Sequence, residues 1–376
     1  MRVDRITCTQ WRNLADQTLT LSPGVNLLVG ENGQGKTNVL ETIQFFKFGR
    51  SFRTHRDAEL IQFGAEFARA EVACTFAAGD ADTFAASIET GGQKRIKVSG
   101  KEVDRISDLV GRYPCVLFGP GDLAIVSDEP AQRRRFIDSV GSMTDPAYIR
   151  VAREYQRILK QRNAALKMRA SEYEVNIWTE QITSAGAELI ERRVALVAAL
   201  EQRVKAHAKD LESPYELKMR YESSILREAG QMAAGLEEGQ PAPGLADVFA
   251  VKLGALEQEE RRRGTTLAGP HRDDVALELD AKDLRKYGSQ GQRRLFAILL
   301  KLSEMSHLEA ELKEPCVLLL DDVFSEFDSD ITARLQRMLD GGRQVFVTSP
   351  VALEWGEPAK TFSVAAGVVT AEGQEA

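Results

Sequence analysis

Gly30-Glu31-Asn32-Gly33-Gln34-Gly35-Lys36-Thr37 follows the short β-rich run Val25-Asn26-Leu27-Leu28-Val29. After it, from Thr37 to about Phe48, Leu40, Ile43 and Phe46 recur at close to helical spacing. A strand, a turn of the form Gly-x-x-x-x-Gly-Lys-Thr and a helix, in that order, predict a phosphate-binding P-loop. Glycines let backbone N–H groups converge on phosphate oxygens, and the helix presents its positive N-terminus to them. Lys36 is placed to reach the β and γ phosphates, and Thr37 offers a hydroxyl to Mg²⁺. ATP and Mg²⁺ are therefore the expected ligands, with Gly30 through Thr37 as the binding loop. A dinucleotide loop is excluded, because Gly-x-Gly-x-x-Gly starting at Gly30 would need glycine where Asn32 stands.

The 376 residues allow about two domains, each with its own core. A 43% hydrophobic and 28% charged composition is that of an ordinary globular chain. No apolar run approaches the roughly 20 residues of a membrane span. Met1-Arg2-Val3-Asp4-Arg5 leads straight into strand-like sequence without a signal-peptide pattern, so a cytoplasmic protein with no membrane partner is expected. Cys8, Cys74, Cys115 and Cys316 are scattered, and His55, His207, His271 and His307 form no metal-binding spacing. The net charge of -7 argues against bulk electrostatic coating of nucleic acid, although Arg133-Arg134-Arg135 and Arg261-Arg262-Arg263 offer local basic patches.

From Val3 to about Phe118 the sequence reads as strands around the one early helix. Ala70 to Phe76, Thr83 to Glu89 and Arg95 to Val98 alternate as antiparallel strands, the last closing on a turn at Ser99-Gly100. Long helical patterns run from about Asp122 to Arg263, with a loop at Gly235 to Gly244 containing Pro241 and Pro243. The β/α pattern then returns, with strands at Val275 to Leu279, Cys316 to Leu320 and Gln344 to Thr348 and a helix from Arg293 to Leu308. The predicted fold is α/β: a P-loop ATPase head with mixed sheets, built from residues 1–120 and 264–376, interrupted by a helical lobe over 121–263.

Val317-Leu318-Leu319-Leu320-Asp321-Asp322 is an apolar strand ending in two carboxylates, as a Walker B strand would be. Asp321 would then serve the Mg²⁺ shell, and Asp322 would act as the catalytic base on the attacking water, with Lys36 as the other catalytic group. Alone, such an Asp-Asp pair is more often a turn or helix cap. Tyr287-Gly288-Ser289-Gln290-Gly291-Gln292-Arg293-Arg294 opens a long apolar helix with Ser289 as a plausible N-cap, which by itself is only a capped helix start able to take an anion.

About thirty residues before the Asp-Asp strand, that segment resembles the signature motif of ABC-type ATPases. The resemblance implies that Ser289, Gln290, Gly291 and Gln292 bind the γ-phosphate of an ATP held by a partner's P-loop, hence a head-to-tail homodimer. Ser325-Glu326-Phe327-Asp328 resembles the family's D-loop, with Ser325 and Asp328 touching the partner. Thr348 stands where transporter-type members carry a switch histidine, a departure that counts against a transporter subunit. It leaves the γ-phosphate switch and the Q-loop unassigned.

Over nearly the full length the chain resembles the RecF family of bacterial recombination-repair ATPases, within the group that holds the SMC heads. The matching blocks are Trp11-Arg12-Asn13, Asn32 through Asn38, Gly49-Arg50-Ser51-Phe52-Arg53, Arg134-Arg135-Phe136-Ile137-Asp138, Gly269-Pro270-His271-Arg272-Asp273-Asp274 and Ser289 through Arg294. This resemblance implies ATP-dependent dimerisation on duplex DNA near single-strand gaps, slow DNA-stimulated hydrolysis, and loading of RecA together with RecR in DNA replication, recombination and the SOS response. It adds Asn38, Arg12 and Asn13 to the expected ATP contacts; a strand-end salt bridge is an equal alternative for Arg12.

On the helix starting near Ala147, Arg150, Arg153, Arg157 and Lys160 share one face, offset about 200° from the apolar stripe Tyr148, Val151, Tyr155 and Ile158. Such a face suits phosphate contact without sequence specificity, or is simply solvated. A helix from Asn176 to Leu211 would extend roughly 50 Å, far short of the coiled coils of SMC proteins, so tethering of distant DNA is not expected. A transporter-type subunit, a small-molecule P-loop kinase and a non-hydrolysing module remain as alternatives, the last because Asp322 replaces the more usual glutamate.

Overall fold

The computed structural model of the chain describes residues 1–105, 108–234, 242–326, 329–339, 342–355 and 359–372. In chain order the first elements are β1 (Arg2–Thr9), β2 (Gln17–Thr20), β3 (Val25–Val29), α1 (Lys36–Phe48), β4 (Phe67–Thr75), β5 (Ala81–Glu89), β6 (Lys94–Val98), β7 (Lys101–Glu102) and β8 (Cys115–Phe118). There follow α2 (Leu123–Ser127), α3 (Pro130–Thr144), α4 (Pro146–Lys167), α5 (Glu172–Asp210), β9 (Leu217–Glu222), α6 (Ser224–Ala234), α7 (Leu245–Arg263), β10 (Asp274–Leu279), β11 (Lys282–Asp283) and α8 (Leu284–Tyr287). The chain ends with α9 (Gln290–Leu312), β12 (Val317–Asp321), α10 (Ser329–Leu339), β13 (Val345–Ser349), β14 (Ala359–Ala365) and β15 (Val368–Ala371). It divides into two compact units, one of Met1–Asp122, His207–Ser213 and Ile298–Ala376, the other of Leu123–Ala206 and Pro214–Ala297.

The first unit contains two six-stranded sheets. One is antiparallel in the order β2-β1-β4-β5-β6-β7. Its last hairpin turns on Ser99 (φ 47°) and Gly100 (φ 77°), both left-handed, as a two-residue turn matching strand twist requires. The other sheet, β15-β14-β3-β13-β12-β8, is mixed: its pairings are parallel except that of β15. Strands β3, β12 and β13 are buried along nearly their whole length, which is why they read as continuous apolar runs.

Helix α1 is buried on almost every side, because its residues join a single core with those of both sheets. Trp11, Phe45, Phe46, Phe84 and Tyr113 form a chain of edge-on and tilted rings through this core, with centroids 5.0–6.1 Å apart. Burial on all sides also encloses polar groups of α1. Glu41 therefore receives Arg12 and Ser51, and Lys47 donates to Glu304.

The second unit is helical except for the antiparallel sheet β11-β10-β9. Leu217, Met219 and Tyr221 alternate inward along β9, a period-two pattern inside the span read as a helical lobe. Because β9 pairs with β10 over Asp274 to Leu279, residues after 264 pack with the helices, and the chain re-enters the first unit only at Ile298. That differs from the sequence boundary at 264, because β10 pairs with β9 and also packs against α3 and α8. Part of the segment read as a loop at Gly235 to Gly244 lies outside the described residues, as does Asp328 of the D-loop. Helix α5 runs 39 residues, or about 58 Å.

Candidate active site

Strand β3 ends at Val29, and the P-loop crosses to α1 in a conformation that depends on its glycines. Gly33 (φ 83°) and Gly35 (φ 117°) are left-handed, and a Cβ on Gly30 would lie 2.2 Å from the carbonyl oxygen of Val364. Lys36 folds back over the loop and donates to the carbonyls of Gly30 and Glu31. Burial pushes its ammonium below the ordinary lysine value, with Asp322 and Asp321 opposing.

Two hydroxyl-carboxylate bonds and one amide-hydroxyl bond assemble the other half of the site. Thr37 Oγ1 donates to Asp321 Oδ1 at 2.8 Å; Thr348 Oγ1 donates to the same oxygen at 2.8 Å and accepts from the Asp322 N–H at 2.9 Å. The parallel register of β12 with β13 sets Asp321 directly opposite Thr348, so these bonds follow from strand pairing. Asp322 takes a left-handed φ of 53°, and its Oδ1 is buried with no hydrogen-bond partner among the described residues.

Mg²⁺ and a nucleotide fit this donor set. An acceptor left unpaired in a buried site is what an incoming water or ligand hydrogen would satisfy. Among the described residues no group of three or more His, Cys, Asp or Glu gathers to cage a metal. A hydroxyl and one carboxylate, completed by phosphate and water, is the arrangement that suits Mg²⁺.

Arg12, whose φ is 53°, makes a bidentate bond to Glu41 at 2.8 Å through both nitrogens and donates to the Glu59 carbonyl at 2.7 Å. The hydrogen bond with Glu41 raises its already high pKa. These bonds make the strand-end salt bridge that the sequence allowed for Arg12. Asn13 reaches the P-loop itself, donating to the Gly33 carbonyl at 3.2 Å and accepting from Asn38 at 2.6 Å, while Arg53 donates to Asn38 at 2.7 Å.

No sequence motif pointed to the third wall. The turn between β14 and β15 brings the Ala366 N–H to Gln34 Oε1 at 2.6 Å and the Gly367 N–H to the Gln34 carbonyl at 2.9 Å. Only glycine fits at 367: φ is 80°, and a Cβ would sit 1.9 Å from the Asn13 carbonyl oxygen.

Ser289 and Gln292 form a reciprocal capping box. The Ser289 N–H donates to Gln292 Oε1 at 2.8 Å, and the Gln292 N–H donates to Ser289 Oγ at 3.2 Å. Ser289, Gln290 and Gly291 are exposed, so the start of α9 is open within its own unit. Ser325 Oγ donates to the Asp322 carbonyl at 2.9 Å, which ties the start of the D-loop segment to the Walker B end.

The predicted basic stripe is on the surface of α4, with Arg150, Arg153, Arg157 and Lys160 exposed and Tyr148, Val151, Tyr155 and Ile158 buried. Two of its four charges face carboxylates, Arg150 with Glu188 at 3.8 Å and Arg157 with Glu154 at 2.7 Å. Five of the six arginines in the two triplets are also engaged: Arg133 pairs with Asp274, Arg134 donates to the Asp273 carbonyl, Arg261 pairs with Glu257, and Arg262 and Arg263 pair with Glu259. A second cationic surface lies on the antiparallel sheet of the first unit. Arg69 and Arg95 flank Ser87 across three strands beside Lys97, in a trough of about 600 Å³ also lined by Glu66 and Glu89. Among the described residues none of these three cations pairs with a carboxylate. The signal was the outward alternation of Arg95 and Lys97 along β6.

A P-loop feeding a helix buried between a mixed and an antiparallel sheet, with paired carboxylates on a neighbouring parallel strand, defines the ABC-type ATPase heads. The chain belongs to the RecF family: the RecF/RecN/SMC N terminal domain matches residues 2–361, and curated RecF proteins align over almost the whole length. It is 36% identical over 354 residues to the DNA replication and repair protein RecF of Halalkalibacterium halodurans, covering 93% of this chain and 92% of that one. RecF of Symbiobacterium thermophilum is 37% identical over 368 residues, covering 96% and 95%. Among solved structures, the recombination mediator protein RecF with ATP, in the RecFOR pathway, has a TM-score of 0.88 at 30% identity over 98% of this chain and 97% of that one. An Smc head bound to the C-winged helix domain of ScpA has a TM-score of 0.57 at 13% identity over 99% and 97%, a likeness of fold alone. Among the described residues no helix is long and apolar enough to cross a membrane.

Proposed function

We propose that this chain is a DNA-repair ATPase whose ATP state closes a homodimer on duplex DNA near single-strand gaps, and that it assists RecA loading together with RecR. The observation that carries the ATPase part is the junction of Thr37, Asp321, Thr348 and Asp322, which sets a P-loop hydroxyl against paired carboxylates. Gly30 through Asn38 and Asn13 bind the nucleotide, Lys36 neutralises the β and γ phosphates, and Asp322 accepts the proton of the attacking water. Thr37 and Asp321 would hold Mg²⁺, which would supply positive charge to the phosphate oxygens. Arg12, held by Glu41 and the Glu59 carbonyl, approaches the nucleotide together with Asn13.

The exposed helix start at Ser289 supports a role toward a partner's γ-phosphate, because the helix dipole and the N-terminal N–H groups outside the Ser289–Gln292 capping box favour an anion there. Each chain carries one P-loop and one such start, so two chains complete two sites. Relatives named for DNA replication and repair, and a structure of the mediator with ATP, support the biological reading.

Phosphate release at saturating ATP, measured against protein concentration with and without duplex DNA, tests this. Specific activity that rises with concentration and increases with DNA is expected. Activity independent of both would mean that each chain works alone and would remove the dimer switch.

A further inference from the structure

In transporter-type members a histidine at position 348 would sense the γ-phosphate. The hydroxyl that stands there instead is already committed: its one hydrogen goes to Asp321 Oδ1 at 2.8 Å and it accepts the Asp322 N–H at 2.9 Å, with the residue 2% exposed. The next backbone step is unusual. Asp322 leaves β12 with φ 53°, in the left-handed region that Asp enters more readily than most side chains but that still turns the backbone sharply at the strand end. The bond that holds the Asp322 amide runs to Thr348. Asp322 Oδ1, buried and without a partner among the described residues, is the group whose direction this backbone turn decides.

We infer that Thr348 is a positioning residue: by bridging Asp321 to the Asp322 amide it locks Asp322 in its left-handed conformation and aims the free carboxylate oxygen at the reacting centre. The inference rests on the ATPase reading and on two bonds of that same junction, those of the Thr348 hydroxyl, which touch neither the P-loop backbone nor Lys36. Thr348→Val keeps the volume of the side chain and removes both hydrogen bonds. Turnover should fall on the order of 10- to 100-fold, the loss expected when a catalytic group drifts by about an ångström, while ATP affinity stays within about twofold.

Three measurements on the full chain decide it. First, wild-type phosphate release must be detectable; its absence would defeat the ATPase reading without touching the hydrogen-exchange comparison. Second, amide hydrogen exchange of the segment holding Asp322, without nucleotide, should be slow in wild type and faster in Thr348→Val; equal protection would overturn the inference. Third, Thr348→Ser keeps the hydroxyl and should turn over within about twofold of wild type, and this arm stands even if the valine variant is unfolded. A folded serine variant slowed as far as valine, or a valine variant with wild-type kcat, would overturn it, as would a valine variant whose defect lies in ATP affinity with kcat intact.

Discussion

Lys47, in the last turn of the P-loop helix, donates to Glu304 of α9 at 2.7 Å, with both side chains almost fully buried. Lys301 reaches the same carboxylate at 2.5 Å and Asp122 at 3.7 Å. Two ammonium groups and two carboxylates thus compensate one another inside the first unit. Burial alone would raise the Glu304 carboxyl, but Lys301 and Lys47 more than offset it and hold it at about 2.

Breaking that network is expected to be costly. Glu304→Gln leaves buried ammonium groups short of a counter-charge, a loss on the order of 3–5 kcal/mol by analogy with other broken buried pairs. The sign with pH follows from a depressed carboxyl: the stabilisation is present above the unfolded value near 4.5 and is lost as pH falls toward about 2. Urea unfolding of wild type and Glu304→Gln should therefore differ by a constant amount from pH 7 to 5, and the gap should shrink below pH 4.5. A gap that widens on acidification would contradict the pairing.

Gly367 tests the wall of the site that lies farthest along the chain from the P-loop. Alanine there must accept φ 80° and place its Cβ 1.9 Å from the Asn13 carbonyl, so the turn has to move. ATP affinity should weaken at least tenfold in Gly367→Ala, because Gln34 loses its two partners on that turn. Gly91→Ala is the control, since φ is ordinary and nothing lies within 4 Å of its Cβ. Equal effects of the two in a nucleotide titration would dismiss the turn as part of the site.

What the sequence made legible, and what it hid, divides by range. The P-loop and α1 were readable because strand, glycine spacing and helical period are all local, as was the Walker B strand with its two carboxylates. Strand β9 was passed over although Leu217, Met219 and Tyr221 alternate, since the partner that stabilises it, β10, lies beyond two further helices. Thr348 was noticed only as a missing histidine; its bonds to Asp321 and Asp322 depend on the register between β12 and β13. The requirement for glycine at 367 arises from an approach by Asn13, which no local pattern encodes.

The two catalytic assignments separate cleanly in binding and turnover. Lys36→Ala removes the P-loop's one side-chain cation and is expected to abolish ATP binding. Asp322→Asn keeps the shape and the Thr348 bond through the backbone, so ATP should still bind while phosphate release falls at least 100-fold. Equilibrium binding of a fluorescent ATP analogue alongside phosphate release tests both. Unchanged affinity in the first variant, or wild-type turnover in the second, would remove that residue from its role.

The proposed DNA contact has two candidate surfaces, and their ion pairs set how each should behave. On α4, Arg157 is held by Glu154 and Arg150 faces Glu188, so a phosphate must compete with a carboxylate already in place. On the antiparallel sheet, Arg69, Arg95 and Lys97 make no ion pair among the described residues, although Glu66 and Glu89 line the same trough, and small side chains at Ala85 and Ser87 leave it open between them. Each cation that neutralises a DNA phosphate contributes about 0.9 to the slope of log affinity against log salt. Removing Arg69 and Arg95 together should therefore flatten the slope by up to about 2 and weaken binding to every duplex alike. Removing Arg153 and Arg157 should flatten it by less, since one of that pair is partly neutralised before DNA arrives. Fluorescence anisotropy of a labelled duplex over a salt series, with ATP present, measures both slopes. A larger change from the α4 pair would move the contact to the helical unit, and unchanged slopes in both variants would return all four arginines to solvated faces.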